Sequence, residues 1–274
     1  MKDIAPLSVY PVPGLPEIRP GDDLAALLAR AVAERVGPLE SGDVVVVAQK
    51  VVSKAEGARV ALAEVTPSAF ARDFAERWEK DPRLVELVLR ESLRIVRMER
   101  GVMITETRHG FVCANSGVDL SNTGGSEEGS GARGEGGEIA VLLPEDPDQS
   151  AARLREGLGR GAGAGGKDVE VGVIVSDTFG RPWRVGLTQV ALGVAGLAPL
   201  VDLRDTNDVD GRPLHATIIA MADQLACAAD LVCGKTARVP AAVIRGYRPP
   251  EGDGQATGIS GRELIRDPAM DLFR

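Results

Sequence analysis

The sequence predicts an α+β or mixed α/β fold with mixed and antiparallel sheets. Asp43–Gln49 (DVVVVAQ) is β-branched and apolar on both faces, as in a strand at the centre of a sheet. Short apolar runs on either side of residues 108–110 indicate a hairpin, and other segments repeat apolar residues at helical spacing. Because these elements do not alternate as βαβ units, a regular Rossmann fold is not expected.

The elements before residue 120 are predicted from apolar periodicity and chain breakers. Leucine, alanine and valine recur at helical spacing between an Asp pair and a Gly-Pro pair, which are typical start and stop signals. The predicted elements are a helix from Asp22 or Asp23 to Gly37-Pro38, the strand at 43–49, a loop holding Gln49, Lys50, Ser53 and Lys54, a helical region at 67–98, and strands at Val102–Thr105 and Phe111–Cys113 joined by a turn at 108–110.

In the second half, VEVGVIVSDTFGRPWR at 169–184 is the most informative segment. Its apolar run stops at Ser176, so a strand is predicted at 169–175 with Asp177 and Thr178 at its exit. The other predicted elements are a flexible Gly-rich insertion at 123–138, a helix from Pro144–Pro147 to about Leu158, a linker at 159–167, a strand at Leu200–Leu203, an alanine-rich helix at Thr217–Leu231 and a final strand at Val239–Arg245.

Composition excludes several classes of protein. A chain of 274 residues suits one large domain or two modest ones. The net charge of -8 argues against a nucleic-acid partner, which needs clustered Lys and Arg. No apolar run approaches membrane-spanning length, and the acidic, Pro-rich start is unlike a signal peptide, so a cytoplasmic protein is expected. The three cysteines form no CxxC pair and are expected to be reduced.

Two segments resemble parts of a nucleotide-binding P-loop. Residues 161–167 (GAGAGGK) have the Gly-rich part, but Asp168 replaces the required Ser or Thr and the segment precedes a strand. Gly234-Lys235-Thr236 has the other end of the motif, yet Ala229 stands where the leading Gly belongs. A P-loop is therefore not expected.

Two acidic clusters follow apolar strands: Asp119 with Asn122, and Asp177 with Thr178. If the fold brings the two carboxylates together, they can hold a divalent ion against phosphate oxygens. The alternative is two independent turns, because Asp, Asn and Thr also bond to nearby backbone.

Other polar residues are less specific. Lys50 and Lys54 follow a buried strand and can reach phosphates, although lysines are most often simply solvated. His109 and His215 have no partners at metal-ligand or triad spacing. The acidic loop VDLRDTNDVDG at 201–211 lacks the ligand order of an EF-hand, which leaves a solvated loop or the border of a cationic substrate.

Six segments in order together resemble the coenzyme F420-0:L-glutamate ligase family, and the resemblance spans nearly the whole chain. They are GLPEIRPGDD, VVVVAQKVVSKAEG, CANSGVDLSN, LLPEDPDQSA, VSDTFGRPWRVG and DGRPLHATIIAMADQLACAADLV.

The resemblance implies a ligase that uses GTP and Mg²⁺ or Mn²⁺, with K⁺ as a further candidate ion, to join L-glutamate to the carboxylate of the deazaflavin precursor coenzyme F420-0. An acyl phosphate formed from GTP would activate that carboxylate, and further γ-linked glutamates can follow. No catalytic residue distinct from the metal and nucleotide ligands is implied. The alternatives are a related amino-acid ligase and a non-catalytic nucleotide-binding protein on the same fold.

By family similarity, Asp119 and Asp177 are expected to be metal ligands, and Thr178 a ligand of a second ion. Lys235 stands near where some members offer an acid to that second ion. The residues that match nucleotide-contacting positions are Leu15, Pro16, Glu17, Ile18, Gln49, Lys50, Lys54 and Asn122.

The resemblance also implies a two-lobed subunit in a homodimer. A single ligase domain over 1–274 is expected, without the nitroreductase-like domain fused to some relatives. The insertion at 123–138 is longer than expected for the family and is either a lid or a neutral addition, since surface loops accept added residues at small entropic cost.

Overall fold

The computed structural model describes residues 6–120, 138–249, 255–257 and 259–272. The helices of this part of the chain are α1 (Leu24–Arg35), α2 (Gln49–Glu56), α3 (Ala69–Trp78), α4 (Pro82–Arg90), α5 (Pro147–Gly159) and α6 (Met221–Cys233). Its strands are β1 (Ser8–Val12), β2 (Val44–Ala48), β3 (Arg59–Ala61), β4 (Ser92–Glu99), β5 (Val102–Thr107), β6 (Val112–Ala114), β7 (Ile139–Val141), β8 (Gly172–Arg181), β9 (Arg184–Ala195), β10 (Leu200–Asp202), β11 (Ile218–Ala220), β12 (Ala241–Arg245) and β13 (Gln255–Thr257).

A five-stranded sheet in the order β1-β12-β2-β8-β9 positions the candidate site. Strands β2 and β8 are parallel, and the other neighbouring pairs are antiparallel. β2 is the central strand, as the sequence predicts. Smaller sheets have the orders β4-β5-β6, β11-β10-β13 and β3-β7, so the mixed fold with antiparallel sheets is confirmed.

Both faces of the five-stranded sheet are covered. Val45 and Val47 of β2 pack in one core with α1 and α5, whereas Val44 and Val46 pack in a second core with α6. Successive residues of a strand point to opposite faces. A strand between two cores must therefore be apolar at every position, which explains the unbroken valine run.

A separate set of apolar clusters lies under α3 and α4. Phe74, Val85 and Met103 share one cluster, which joins these helices to β5. Leu62 and Ala140 belong to a neighbouring cluster beside the β3-β7 pair. The chain thus builds one core group around the large sheet and another around the α3-α4 pair.

Two predicted elements are wrong in type. Gln49 to Lys54 lie in helix α2 and not in a loop, because the Gln49 and Ser53 side chains bond one helical turn apart and Gly57 ends the helix in a left-handed conformation. The predicted helical region at 67–98 covers α3 and α4, but residues 92–98 belong to strand β4. β4 pairs with β5, so tertiary pairing overrides the local pattern there.

Two predicted boundaries are also wrong. Strand β8 does not end at Val175: it runs to Arg181, because β9 pairs with it along its full length. Asp177 and Thr178 therefore lie inside a strand and not at its exit. The helix predicted at 217–231 begins only at Met221, since residues 218–220 form β11 against β10.

The remaining predicted helices and strands are confirmed, with shifts of a few residues at their ends. α1 is capped by the Asp23 carboxylate, which accepts from the Ala26 amide. The 102–113 hairpin, the helix ending near Leu158 and the strands near 200 and 241 are present. The predicted insertion at 123–138 lies outside the described residues except for Glu138. Among the helices of the described ranges, none is long and apolar enough to cross a membrane.

Candidate functional site

The candidate site lies where the parallel strands β2 and β8 run side by side towards their carboxyl ends. Ala48, the last residue of β2, pairs with Ser176 of β8. Helix α2 starts at Gln49, directly after Ala48, while β8 continues as a two-stranded ribbon with β9. This topology brings the first turn of α2 next to Asp177.

Asp177 is a half-buried carboxylate whose surroundings disfavour its negative charge. Burial raises its pKa to about 6, and the charge of Asp119 adds to the rise. The Thr178 amide, Lys235 and Lys50 oppose the rise by stabilising the charged form. The two carboxylates predicted to meet are therefore close enough to repel each other.

Asp119 is fixed by its backbone and by an ion pair. Its amide donates to the Val141 carbonyl at 3.1 Å, and its carbonyl accepts from the Val141 amide at 2.9 Å. This antiparallel β-bridge joins the Asp119 segment to β7. Its side chain accepts from Lys50 Nζ at 2.7 Å. Lys50 thus links α2 to the Asp119 segment beside Asp177.

A tight turn leads into Asp119. Asn115, Ser116 and Gly117 have φ values of +52°, +53° and +69°, a left-handed run that is costly for residues other than glycine. The buried Ser116 compensates: its amide donates to Thr105 Oγ1 at 2.9 Å, and its hydroxyl lies 2.8 Å from Ser92 Oγ. This hydroxyl cluster fixes the direction in which the chain delivers Asp119.

Thr178 faces a different set of partners. Its Oγ1 accepts from Gln189 Nε2 at 2.9 Å and from Lys235 Nζ at 2.7 Å. Gln189 lies opposite Thr178 in the β8-β9 ladder, and its amide also donates to Asp230 Oδ1 of α6 at 3.1 Å. Thr178 is therefore turned towards α6, away from Asp119.

Asp119 and Asp177 are the carboxylates of this site that could hold a hard divalent ion. Carboxylate oxygens suit Mg²⁺ and Mn²⁺, and a carboxyl whose pKa is raised beside a second carboxylate gains when a cation replaces its proton. No group of three or more His, Cys, Asp or Glu side chains able to hold a metal occurs in the described residues. Magnesium commonly binds through one or two carboxylates and completes its shell with water and substrate phosphates.

The two other predicted residues of α2, Gln49 and Lys54, have partners of their own. Lys54 is almost fully buried, and its Nζ donates to Glu17 Oε1 at 2.7 Å. Gln49 is buried and donates to Ser53 Oγ and to the Leu142 carbonyl, so its side chain stabilises the start of α2. Lys54, on the same helix as Lys50, thus forms a second charged pair with Glu17.

The segment at 15–18 packs against the large core. Ile18 is buried in it and Leu15 is half-buried against it, whereas Pro16 and Glu17 are exposed. The structure thus places this segment beside α2 through the Glu17-Lys54 pair. Asn122, the last predicted nucleotide contact, lies outside the described residues.

The family model for F420-0:gamma-glutamyl ligase matches residues 14–246, which include all of these groups. The chain belongs to this family. A coenzyme F420:L-glutamate ligase of Methanopyrus kandleri is 44% identical over the full length of both chains. Its namesake from Methanothermobacter thermautotrophicus is 44% identical over 98% of this chain and 99% of its own. The Halobacterium salinarum protein of that name is 43% identical over 90% of each chain.

Within this F420-0:gamma-glutamyl ligase family member, the structure adds side chains that the sequence did not single out. Gln189 of β9 donates to Thr178, and Asp230 of α6 accepts from the same Gln189 amide. Cys113 is buried on the other side, where burial and the charge of Asp177 raise the pKa of its thiol to about 12. In the sequence, Gln189 could have been noticed as a polar residue within the largely apolar strand β9.

A groove elsewhere on the chain is distinct from the candidate site. It has a volume of about 700 Å³ and is lined by α5, residues 168–170 and the end of β9. One of its four acidic residues, Asp148, accepts from the Val194 and Gly261 amides and from Ser260 Oγ. The other three are also paired within the chain: Glu156 with Arg160, Glu170 with Arg155, and Asp168 with the Gly161 amide.

Proposed function

We propose that this chain catalyses the GTP-dependent addition of L-glutamate to the carboxylate of coenzyme F420-0. Family membership supports the ligase activity, and the names of the relatives support the substrates. The observation that supports nucleotide and metal chemistry is the meeting of Asp119, Asp177 and Lys50 at the start of α2.

A carboxylate does not react with an amine until its oxygen becomes a leaving group. In the proposed reaction the carboxylate oxygen attacks the γ-phosphorus of GTP, and the bond to the β-phosphate oxygen breaks to release GDP. The amine nitrogen of glutamate then attacks the acyl carbon, inorganic phosphate leaves, and the nitrogen loses a proton. A divalent ion, when bound, would neutralise the negative charge that collects on the phosphoryl oxygens.

The residues of this chain supply the remaining requirements. Asp119 and Asp177 would hold Mg²⁺ or Mn²⁺, and Lys50 orients Asp119 while presenting its own positive charge. The first turn of α2 has no side-chain cap, so its amide groups are available to phosphate oxygens. We place the nucleotide beside this turn, next to residues 15–18 and above the buried Gln49 and Lys54 side chains.

The test is mass spectrometry of the product. Purified protein with F420-0, GTP, Mn²⁺ and L-glutamate is expected to yield a product heavier by one glutamate residue, or by several if γ-linked addition continues. Omitting GTP or metal should abolish the increment. A panel of amino acids separates this activity from a related ligase, and binding of GTP without turnover would indicate a nucleotide-binding protein instead.

We further propose a homodimer. The tip of the β8-β9 ribbon exposes Trp183, Val185 and Leu187, which are 79%, 98% and 65% exposed in the single chain. Exposed apolar patches of this kind mark association surfaces. A second copy of the same chain would cover them.

A reducing compartment suits the chain. Its three cysteines are free, and one of them is buried. Free thiols persist in the cytoplasm, where disulfides are reduced. We therefore place the protein there, with small-molecule substrates and without a nucleic-acid partner.

A further inference from the structure

Asp177 and Thr178 are neighbours in sequence but face opposite sides of β8. Consecutive residues of a strand alternate between its two faces. The Asp177 side holds Cys113, and Phe179 packs on Phe111 on that side, whereas Thr178 contacts Gln189 and, through it, α6. The two side chains therefore have different neighbours, although the charge of Lys235 reaches both.

The Thr178 hydroxyl also has its acceptor capacity used. A hydroxyl oxygen carries two lone pairs. Gln189 Nε2 and Lys235 Nζ donate to this oxygen at 2.9 and 2.7 Å. A cation at Thr178 would need one of these lone pairs, and so would have to displace a donor.

Of these two donors, Gln189 is the fixed one. It stands opposite Thr178 in the β-ladder, and Asp230 of α6 accepts from the same amide nitrogen. Lys235 differs, because it is exposed and belongs to the irregular segment between α6 and β12. Its four-carbon stem lets the ammonium move without moving the backbone.

The segment that carries Lys235 passes over the candidate site. Its last residue, Pro240, accepts from the Ala48 amide at 2.8 Å, directly before α2. The charge of Lys235 reaches Asp177 from the α6 side, while that of Lys50 reaches it from α2. Two ammonium groups thus flank the carboxylate pair.

We propose that the Lys235 ammonium takes the place of a second divalent ion, so that the site binds one divalent ion per subunit and Lys235 contacts the terminal phosphate of the nucleotide. This inference rests on the proposed function. Like-charge repulsion disfavours a divalent ion beside an ammonium bound to the same hydroxyl. An ammonium can supply positive charge to a phosphate as a point charge.

Counting bound Mn²⁺ tests the inference independently of activity. Titration followed by electron paramagnetic resonance is expected to give one tight Mn²⁺ per subunit in the wild type. Lys235→Glu should gain a second, because a carboxylate then stands beside Thr178. Lys167→Glu makes the same charge change at an exposed lysine in the 159–167 linker. This control variant should still bind one Mn²⁺ per subunit.

A milder variant covers the case in which Lys235→Glu fails to fold. Lys235→Gln removes the charge but keeps an amide donor for Thr178. It should bind one Mn²⁺ as before, while its affinity for a non-hydrolysable GTP analogue falls about tenfold or more, as expected for a lost charge-assisted hydrogen bond.

Two tight Mn²⁺ ions in the wild type, or unchanged analogue affinity in Lys235→Gln, would overturn the inference. A wild-type protein that binds no GTP analogue but one Mn²⁺, with a second gained in Lys235→Glu, would instead overturn the proposed nucleotide and leave the metal count standing. The two failures are therefore distinguishable.

Discussion

Asp177 occupies a position that disfavours its own charge. Its pKa of about 6 in the folded chain lies above the ordinary value of 3.8, so the folded state holds this proton more tightly than the unfolded state. Its protonation stabilises the fold fully below about pH 4, and that stabilisation is lost as the pH rises through about 6. At neutral pH the ionised carboxylate lowers stability, as expected for a side chain whose charge serves the proposed cation binding.

Asp177→Asn is therefore expected to raise stability while removing function. At pH 7.5 with a chelator present, the free energy of unfolding should increase by about 1–3 kcal/mol, because the buried charge is gone. Tight Mn²⁺ binding and ligation should both be lost. Calorimetry and the ligation assay measure these effects, with Asp73→Asn on the exposed side of α3 as the control. A destabilised variant would contradict the electrostatic explanation.

His109 gives a pH dependence of the opposite sign. Burial, with the charge of Arg108, lowers the pKa of its ring below 6.5, and Nδ1 is buried without a hydrogen-bond partner. The neutral ring contributes stability that is present above pH 6.5 and is lost as the pH falls through the lowered pKa.

His109→Gln should accordingly flatten the loss of stability below pH 6.5. Unfolding by urea, followed from pH 7.5 to 5, measures the slope. His215→Gln provides the matched control, because it makes the same substitution at an exposed histidine. Equal slopes in the wild type and His109→Gln would argue against a buried neutral ring.

Among the elements, the turn at Asn115–Gly117 controls where Asp119 stands. Gly117 has a φ of +69°, and a Cβ there would lie 2.8 Å from Leu143 Cδ2. An added methyl group must push either Leu143 or the turn itself. Since Asp119 follows two residues later, displacement of the turn would move a proposed metal ligand.

Gly117→Ala is expected to weaken Mn²⁺ binding by roughly tenfold and to destabilise the fold by about 1–3 kcal/mol. Gly21→Ala is the control: its φ is +87°, but nothing lies within 4 Å of the added atom. It should share the backbone strain and keep normal metal affinity. Isothermal titration with Mn²⁺ compares the two, and equal affinities would show that the turn does not position Asp119.

The same elements show why sequence alone could not complete the site. Apolar periodicity was enough for α1, β2 and the 102–113 hairpin, since each of these is determined by local spacing. The helical state of residues 49–56 depends on packing and on Gly57, and the length of β8 depends on its pairing with β9, the next strand along the chain, which apolar spacing does not show. The Asp119-Asp177 meeting follows from that topology, which no single motif contains.

At the scale of the whole molecule, the exposed ribbon tip predicts association. If the proposed dimer forms, Val185→Asp should shift it to monomer in sedimentation or light-scattering measurements, because the variant places a charge in the apolar surface that a second copy is proposed to cover. Val209→Asp makes the same change at another fully exposed valine, in the acidic loop, and should remain dimeric. A wild-type monomer would remove the proposed interface.

The fold class was predictable at this scale, but the arrangement of side chains was not. A mixed fold follows from the kinds of elements present. The order β1-β12-β2-β8-β9 does not, because β1 pairs with a strand more than two hundred residues later in the chain. Similarly, the Thr178 contacts join the β8-β9 hairpin to Lys235, 57 residues further along the chain, so residue spacing could not show that Gln189 and Lys235 share one hydroxyl.

The β8-β9 ribbon carries Asp177 near its base and the apolar side chains at its tip. In the proposed enzyme, ligand binding and subunit association therefore act on one continuous element. Thermodynamic linkage then makes any influence reciprocal: if metal and nucleotide tighten the dimer, the dimer tightens their binding by the same factor. In the proposed dimer, this shared ribbon would therefore couple the two sites to each other.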